Sequence, residues 1–343
     1  MANEGKLSQD EHDLLFKRFI ERDMLNTTSA VGQSEQPVAI FLGGQPGAGK
    51  SQLSNMSMRE LGPDKTVTID IDELRDVHPK YREWQTNPAT EKSAADLTQP
   101  DAGAWGRELF ASAIENRRNI VFDTTLGNTK AALNQITSLQ DAGYRVIVRA
   151  VAVQPEVSHL GVLKRFEDGK AEGNPRWVPP QIEKLAFDGL PKTLQAIETA
   201  QLKETVQLQV FDRSKTKLYD NFEAPANNAS MASSLPPLNH ERQRPLNSSE
   251  VQTYAKDWEK LTTSMERRHA PETELQEVRQ LAQQMCGAGK VLDAGADIKT
   301  DASTAKHGAT LLSMPVSPAS RLLERSPEPL SATVGQVAGQ KPR

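Results

Sequence analysis

Val38-Ala39-Ile40-Phe41-Leu42, followed by Gly44-Gln45-Pro46-Gly47-Ala48-Gly49-Lys50-Ser51, decides the fold of this chain. The short apolar run reads as a buried strand. The eight residues after it match the phosphate-loop pattern G-x-x-x-x-G-K-[ST]. Glycines let such a loop bend until its backbone N–H groups converge on phosphate oxygens, at the positive end of the helix that follows. Lys50 is then placed for the β- and γ-phosphates and the Ser51 hydroxyl for Mg²⁺, so residues 44–51 form the expected nucleotide-binding segment. The plain alternative is a Gly-rich turn with a surface lysine. The flanking strand and helix patterns argue against it.

Outward from the loop, strand and helix patterns alternate. Ser8-Gln9-Asp10-Glu11 is a capping box before a helix over about 9–23, and residues 1–35 form a lead-in. A helix over about 49–61 ends at Leu61-Gly62-Pro63, and strand 67–72 ends in Asp70-Ile71-Asp72. Helix 102–116, strand 120–123, helix 129–142 and strand 145–153 follow. Residues 156–202 are helical with breaks at 169–180 and 189–191, and a last strand spans 206–211. This order predicts an α/β P-loop NTPase-type three-layer sandwich with a mainly parallel sheet over residues 36–222. Pro, Ser, Asn and Gln then dominate, and 223–248 reads as a flexible linker. Val251, Tyr254, Trp258, Leu261 and Met265 form an apolar stripe, and a second stripe follows Pro271. Residues 249–286 therefore read as a C-terminal helical hairpin, either packed on itself or the main domain, or covering part of the nucleotide cleft. Residues 287–343 read as a disordered tail.

Composition narrows the function. A formal net charge of −4 over 343 residues speaks against nucleic acid or anionic lipid as a partner. The single cysteine, Cys286, allows no internal disulfide. No apolar run approaches the ~18 residues of a membrane span, and the N-terminus lacks a secretory signal pattern. These features predict a soluble protein of the cytoplasm, with secretion as an effector left open. A guanine-specificity N-K-x-D tetrapeptide does not occur, which argues against a GTPase. Asp70 and Asp72 lie at the carboxyl end of a strand, the edge where open α/β sheets bind ligands. An acid there can hold Mg²⁺ or take the proton of an attacking hydroxyl.

Taken together the residues resemble the zeta toxins of bacterial toxin–antitoxin systems, kinases that phosphorylate UDP-N-acetylglucosamine. The resemblance spans about 36–220. It rests on Gly43 to Ser51, Ile69-Asp70-Ile71-Asp72-Glu73-Leu74-Arg75 with His78-Pro79, Leu160-Gly161 before Arg165-Phe166-Glu167, Arg176 ahead of Pro179-Pro180-Gln181, Leu190-Pro191, and Asp212-Arg213 with Lys217-Leu218-Tyr219. It implies an ATP- or GTP-dependent kinase in which Lys50 holds the phosphates, and Ser51, with Asp70 as a second candidate, the Mg²⁺. Asp72 would be the base, Arg165 and Arg176 the cations on the transferring phosphoryl group, and Glu108, Asp123 and Thr125 the acceptor-binding residues. It further implies a nucleotide-sugar substrate and a small helical antitoxin as partner. After strand 120–123 the run Asp123-Thr124-Thr125-Leu126-Gly127 departs from the family's usual acid-Gly-Thr. That departure leaves open another acceptor, such as NAD for a same-fold effector kinase. A non-catalytic nucleotide-binding regulatory module is the alternative of another class.

Overall fold

Val38–Gly43 (β1) is flanked on both sides by parallel strands, which is why it carries no alternation of apolar and polar residues. The computed structural model describes residues 5–200, 202, 204–223 and 233–287. Five strands run parallel: β1, Thr66–Asp70 (β2), Asn119–Asp123 (β3), Arg145–Val151 (β4) and Val206–Phe211 (β5). Lys217–Asp220 (β6) adds an antiparallel edge, and the order is β2-β3-β1-β4-β5-β6. Ala39 and Phe41 point into one core with Val67, Ile69, Trp105, Leu109, Ile136 and Leu194. Ile40 and Leu42 point into the other, with Leu53, Ile147, Val151 and Phe211. The sheet is therefore the middle of three layers, as expected.

The helices are Gln9–Leu15 (α1), Lys50–Leu61 (α2), Ile71–Leu74 (α3), Tyr81–Thr86 (α4), Ala94–Glu115 (α5), Thr129–Asp141 (α6), Pro155–Glu172 (α7) and Pro180–Thr199 (α8), followed by Leu235–Gln243 (α9), Ser248–Arg267 (α10) and Glu272–Gly287 (α11). After α1 the chain winds more widely over Phe16–Leu25, where the Asn26 N–H reaches back five residues to the Glu21 carbonyl at 2.9 Å. β1 and β3 lie in register Leu42 to Asp123, and β2 and β3 in register Asp70 to Asp123. The carboxyl ends of three neighbouring strands thus meet where the phosphate loop leaves β1.

Four expectations need correction. Strand 67–72 stops at Asp70, because that carboxylate caps α3 by accepting the Asp72 N–H at 2.8 Å. The break at 189–191 is absent: α8 runs through, and Gly189 is small because the Gly127 carbonyl would lie 2.2 Å from any Cβ there. Helix 102–116 begins earlier, at Ala94, with Pro100 tolerated inside it. The linker 223–248 contains helix α9. Pro236 and Pro237 stand in its first turn, where an N–H has no intrahelical partner, and Leu238 is fully buried. Residues 224–232, and the tail from 288 onward, lie outside the described residues. Helices α10 and α11 form the hairpin, with Tyr254, Trp258, Leu261, Met265, Leu275 and Val278 packed around Leu160 of α7.

Candidate active site

The loop between β1 and α2 needs its glycines for two separate reasons. Gly47 has φ 77° and would place a Cβ 2.0 Å from the Ser158 carbonyl of α7, so only glycine fits. Gly49 has φ 91° and starts α2, leaving the first N–H groups of that helix without a side-chain cap. Gln45 turns inward, buried, and donates to the Val153 carbonyl (3.1 Å) and Ser158 Oγ (3.2 Å). It fixes the loop to the segment just after β4 and to α7. Lys50 Nζ donates to the Gly44 carbonyl at 3.1 Å and lies 3.5 Å from Asp123 Oδ1. The amine is therefore curled over its own loop.

Asp123 and Asp70 act on that amine, and Asp72 is coupled to both of those carboxylates. Asp70 is the cap of α3. Burial raises its pKa and the Asp72 charge adds to the rise, against Arg176 and Lys50. Asp123 ends β3, and burial pushes it up to about 6, with Lys50 opposing and Asp70 and Asp72 reinforcing. Asp72 behaves in the opposite sense. Burial works against its ionisation, but Arg75, Arg165 and Arg176 together outweigh that and hold it below the usual carboxylate range. Its side chain is 42% exposed, so the carboxylate keeps access to solvent. The two acids stay side by side, Asp70 as the helix cap and Asp72 in the first turn that it caps.

Arg75, the last residue of the Ile69–Arg75 motif, holds Asp72 in place. Its Nε is 3.3 Å from Asp72 Oδ1, and its terminal nitrogens donate to Ala95 O, Thr98 Oγ1 and Gln99 Oε1 of α5. Arg165 stands exposed on α7, and Arg176 in the following loop is 3.4 Å from Asp76. The structure brings both within electrostatic reach of Asp72.

The expected acceptor-binding residues divide. Asp123 belongs to the cluster. The Thr125 hydroxyl accepts the Gly127 N–H at 3.2 Å and so shapes its own turn. Glu108 pairs with His12 Nε2 (3.0 Å) of the N-terminal helix, whose Nδ1 meets Asp101 at 2.8 Å beneath the Trp105 ring. His12 carried no sequence signal, because its partners lie about ninety residues away. Ser51 sits exposed in the first turn of α2. Among the described residues no group of three or more His, Cys, Asp or Glu side chains could hold a metal by itself.

The fold, the glycine-shaped loop and the lysine over it define a P-loop protein of the kinase-like kind. The zeta toxin family model matches residues 22–223, more than half of the chain, and the chain belongs to that family. It is 29% identical over 217 residues to toxin PezT of Streptococcus pneumoniae, covering 63% of this chain and 84% of that protein. Toxin zeta of Enterococcus hirae is 26% identical over 240 residues, 69% of this chain and 80% of that one. A solved structure from the PezAT chromosomal toxin–antitoxin system of Streptococcus pneumoniae superposes with a TM-score of 0.62 at 24% identity, covering 75% of this chain and 98% of the other. That superposition speaks for the fold. Helices α9 to α11 lie beyond the family match.

Proposed function

We propose that this protein is an ATP-dependent kinase that transfers the γ-phosphoryl group to a hydroxyl of UDP-N-acetylglucosamine or a related nucleotide sugar, and that it is toxic through that reaction. The observation that carries the reading is the convergence of Lys50, Asp72, Asp123, Arg165 and Arg176 beside the phosphate loop. A binding module needs the loop and the lysine. It has no use for an ionised, open carboxylate held between arginines.

In this reading the bond from the γ-phosphorus to its bridging oxygen breaks, a bond to the acceptor oxygen forms, and the acceptor proton passes to Asp72. Arg75 keeps Asp72 oriented and ionised at neutral pH, so it needs no prior deprotonation. Arg165 and Arg176 offset charge spread over the transferring oxygens, the largest contribution in reactions of this type. Lys50 leaves the Gly44 carbonyl for the β- and γ-oxygens. Ser51 and Asp70 are hard oxygen donors suited to Mg²⁺, which takes few protein ligands and completes its shell with water and phosphate. When bound, that ion neutralises phosphate charge. Asp123, Thr125 and Glu108 lie on the acceptor side, and an antitoxin is the expected protein partner.

Coupling tests this reading. With Mg²⁺ present, ATP consumption should rise at least about tenfold when UDP-N-acetylglucosamine or a related nucleotide sugar is added, because the acceptor hydroxyl completes the reacting set. An ATP turnover indifferent to every such acceptor would remove the kinase assignment.

A further inference from the structure

A cavity of about 620 Å³ opens between α7, the turn between β5 and β6, and helices α9 and α10. It lies next to the phosphate loop. A Cβ on Gly161, which lines it, would meet the Gly47 carbonyl at 2.8 Å, and the Arg213 side chain, which also lines it, passes 3.8 Å from where a Cβ of Gly49 would stand. Arg165 and Arg176 line it as well, and both face Asp72. The cavity therefore leads from the phosphate-handling end of the site toward the C-terminal helices.

Those helices are built into the kinase domain. Arg242 of α9 is 4% exposed, lies 3.6 Å over the Phe187 ring, and donates to the Phe187 carbonyl (2.9 Å) and to Oε1 of the loop residue Gln45 (3.3 Å). Gln154 donates to the Arg244 carbonyl, Lys164 of α7 pairs with Asp257 at 2.7 Å, and Arg268 pairs with Glu167 at 2.6 Å. The apolar stripe of α10 lies against Leu160. The segment stands beside the open space and does not fill it.

The two sides of the cavity differ in charge. The kinase side carries Lys164, Arg165, Arg176 and Arg213 interspersed with Asp168, Glu172 and Asp212. On the C-terminal side, Arg244 is saturated by Glu241 and Glu250 at 2.6–2.8 Å, and Asp257 is paired with Lys164. What that side offers is paired charge and the exposed hydroxyls of Ser249 and Thr253. The arginines of the first side, with Arg213 beside Gly49 of the phosphate loop, suit phosphate oxygens. A neutral, hydrogen-bonding group is matched by the second. The volume suits a nucleoside, within the ~300–1,000 Å³ of ordinary ligand pockets.

We infer that α9 and α10 form the outer wall of the pocket for the base and ribose of the donor nucleotide, with its phosphates on the loop side. The C-terminal segment is thus a constitutive part of the donor site. This rests on the nucleotide reading above. The test compares ATP with inorganic tripolyphosphate, which has the phosphates and no nucleoside, by calorimetry on the full chain. In Thr253→Trp and Ser249→Trp, an indole enters the pocket from its outer wall. ATP affinity should fall at least about tenfold while tripolyphosphate affinity changes less than about threefold, a clear gap on the scale of binding free energies. Lys256→Trp, exposed on α10 and outside the cavity lining, should bind both probes as the wild type does.

Unchanged ATP affinity in both tryptophan variants overturns the inference and leaves the kinase reading standing. An equal loss of both probes also overturns it, because the effect then lies at the loop. A wild-type protein that binds ATP no more tightly than tripolyphosphate removes the pocket alone, and one that binds neither removes the proposed function with it.

Discussion

Asp123→Asn should make the protein more stable at neutral pH while disabling it. In the folded chain burial raises the Asp123 pKa from 3.8 to about 6, even with the Lys50 ammonium 3.5 Å away. Between those two values the folded state holds a proton that the unfolded state has released. Stability therefore falls as pH rises from about 4 to 6, and the loss is complete above 6. A shift of roughly two units corresponds to about 3 kcal/mol, because each unit is 1.36 kcal/mol. Asparagine keeps the shape and carries no charge, so it escapes this cost. Urea unfolding of wild type and variant, measured across pH 3.5 to 7.5, reads the difference directly. The variant should gain about 3 kcal/mol at pH 7 and nothing below about pH 4. A difference that stays constant with pH, or a variant less stable at pH 7, would refute the reasoning and show that the Lys50–Asp123 pair outweighs burial.

Lys50→Ala should abolish ATP turnover and toxicity with little loss of fold stability, since the amine's contacts are its own loop and Asp123; a melting curve and an ATPase assay check both parts. Asp72→Asn should leave ATP affinity nearly unchanged and lower kcat by about 10²–10⁴, the usual share of a general base, and a collapse of Mg²⁺-ATP affinity in that variant would make Asp72 a metal ligand. Arg165→Ala and Arg176→Ala should each depress kcat more than KM, because their charge is best matched in the transition state; a change confined to the acceptor KM would move them into the acceptor pocket.

What the sequence made legible was whatever is local. The phosphate loop, the strand before it and the alternation of strands and helices depend on glycines, caps and periodic apolar residues within one window, and these placed Lys50, Ser51 and the two acids near one sheet edge. The missed features are products of distant contacts. Arg75 takes its role from Ala95, Thr98 and Gln99, 20 to 24 residues ahead. His12 reaches Asp101 and Glu108, and Arg242 reaches Gln45 across 197 positions. Gly189 looked like a helix break, and only the Gly127 backbone pressed against it reveals a packing contact. Helix α9 was hidden because proline counts as a breaker in composition and as a starter in a first turn. Four-residue β6 offers too few positions for an alternating pattern to register.

The most direct measurement of the central claim is the product itself. The protein, incubated with ATP, Mg²⁺ and a panel of nucleotide sugars and dinucleotides, should convert a nucleotide sugar to a species heavier by one phosphoryl group in mass spectrometry, with ADP formed in equal amount and no product from Lys50→Ala. ADP and free phosphate with every acceptor left unmodified would contradict the account.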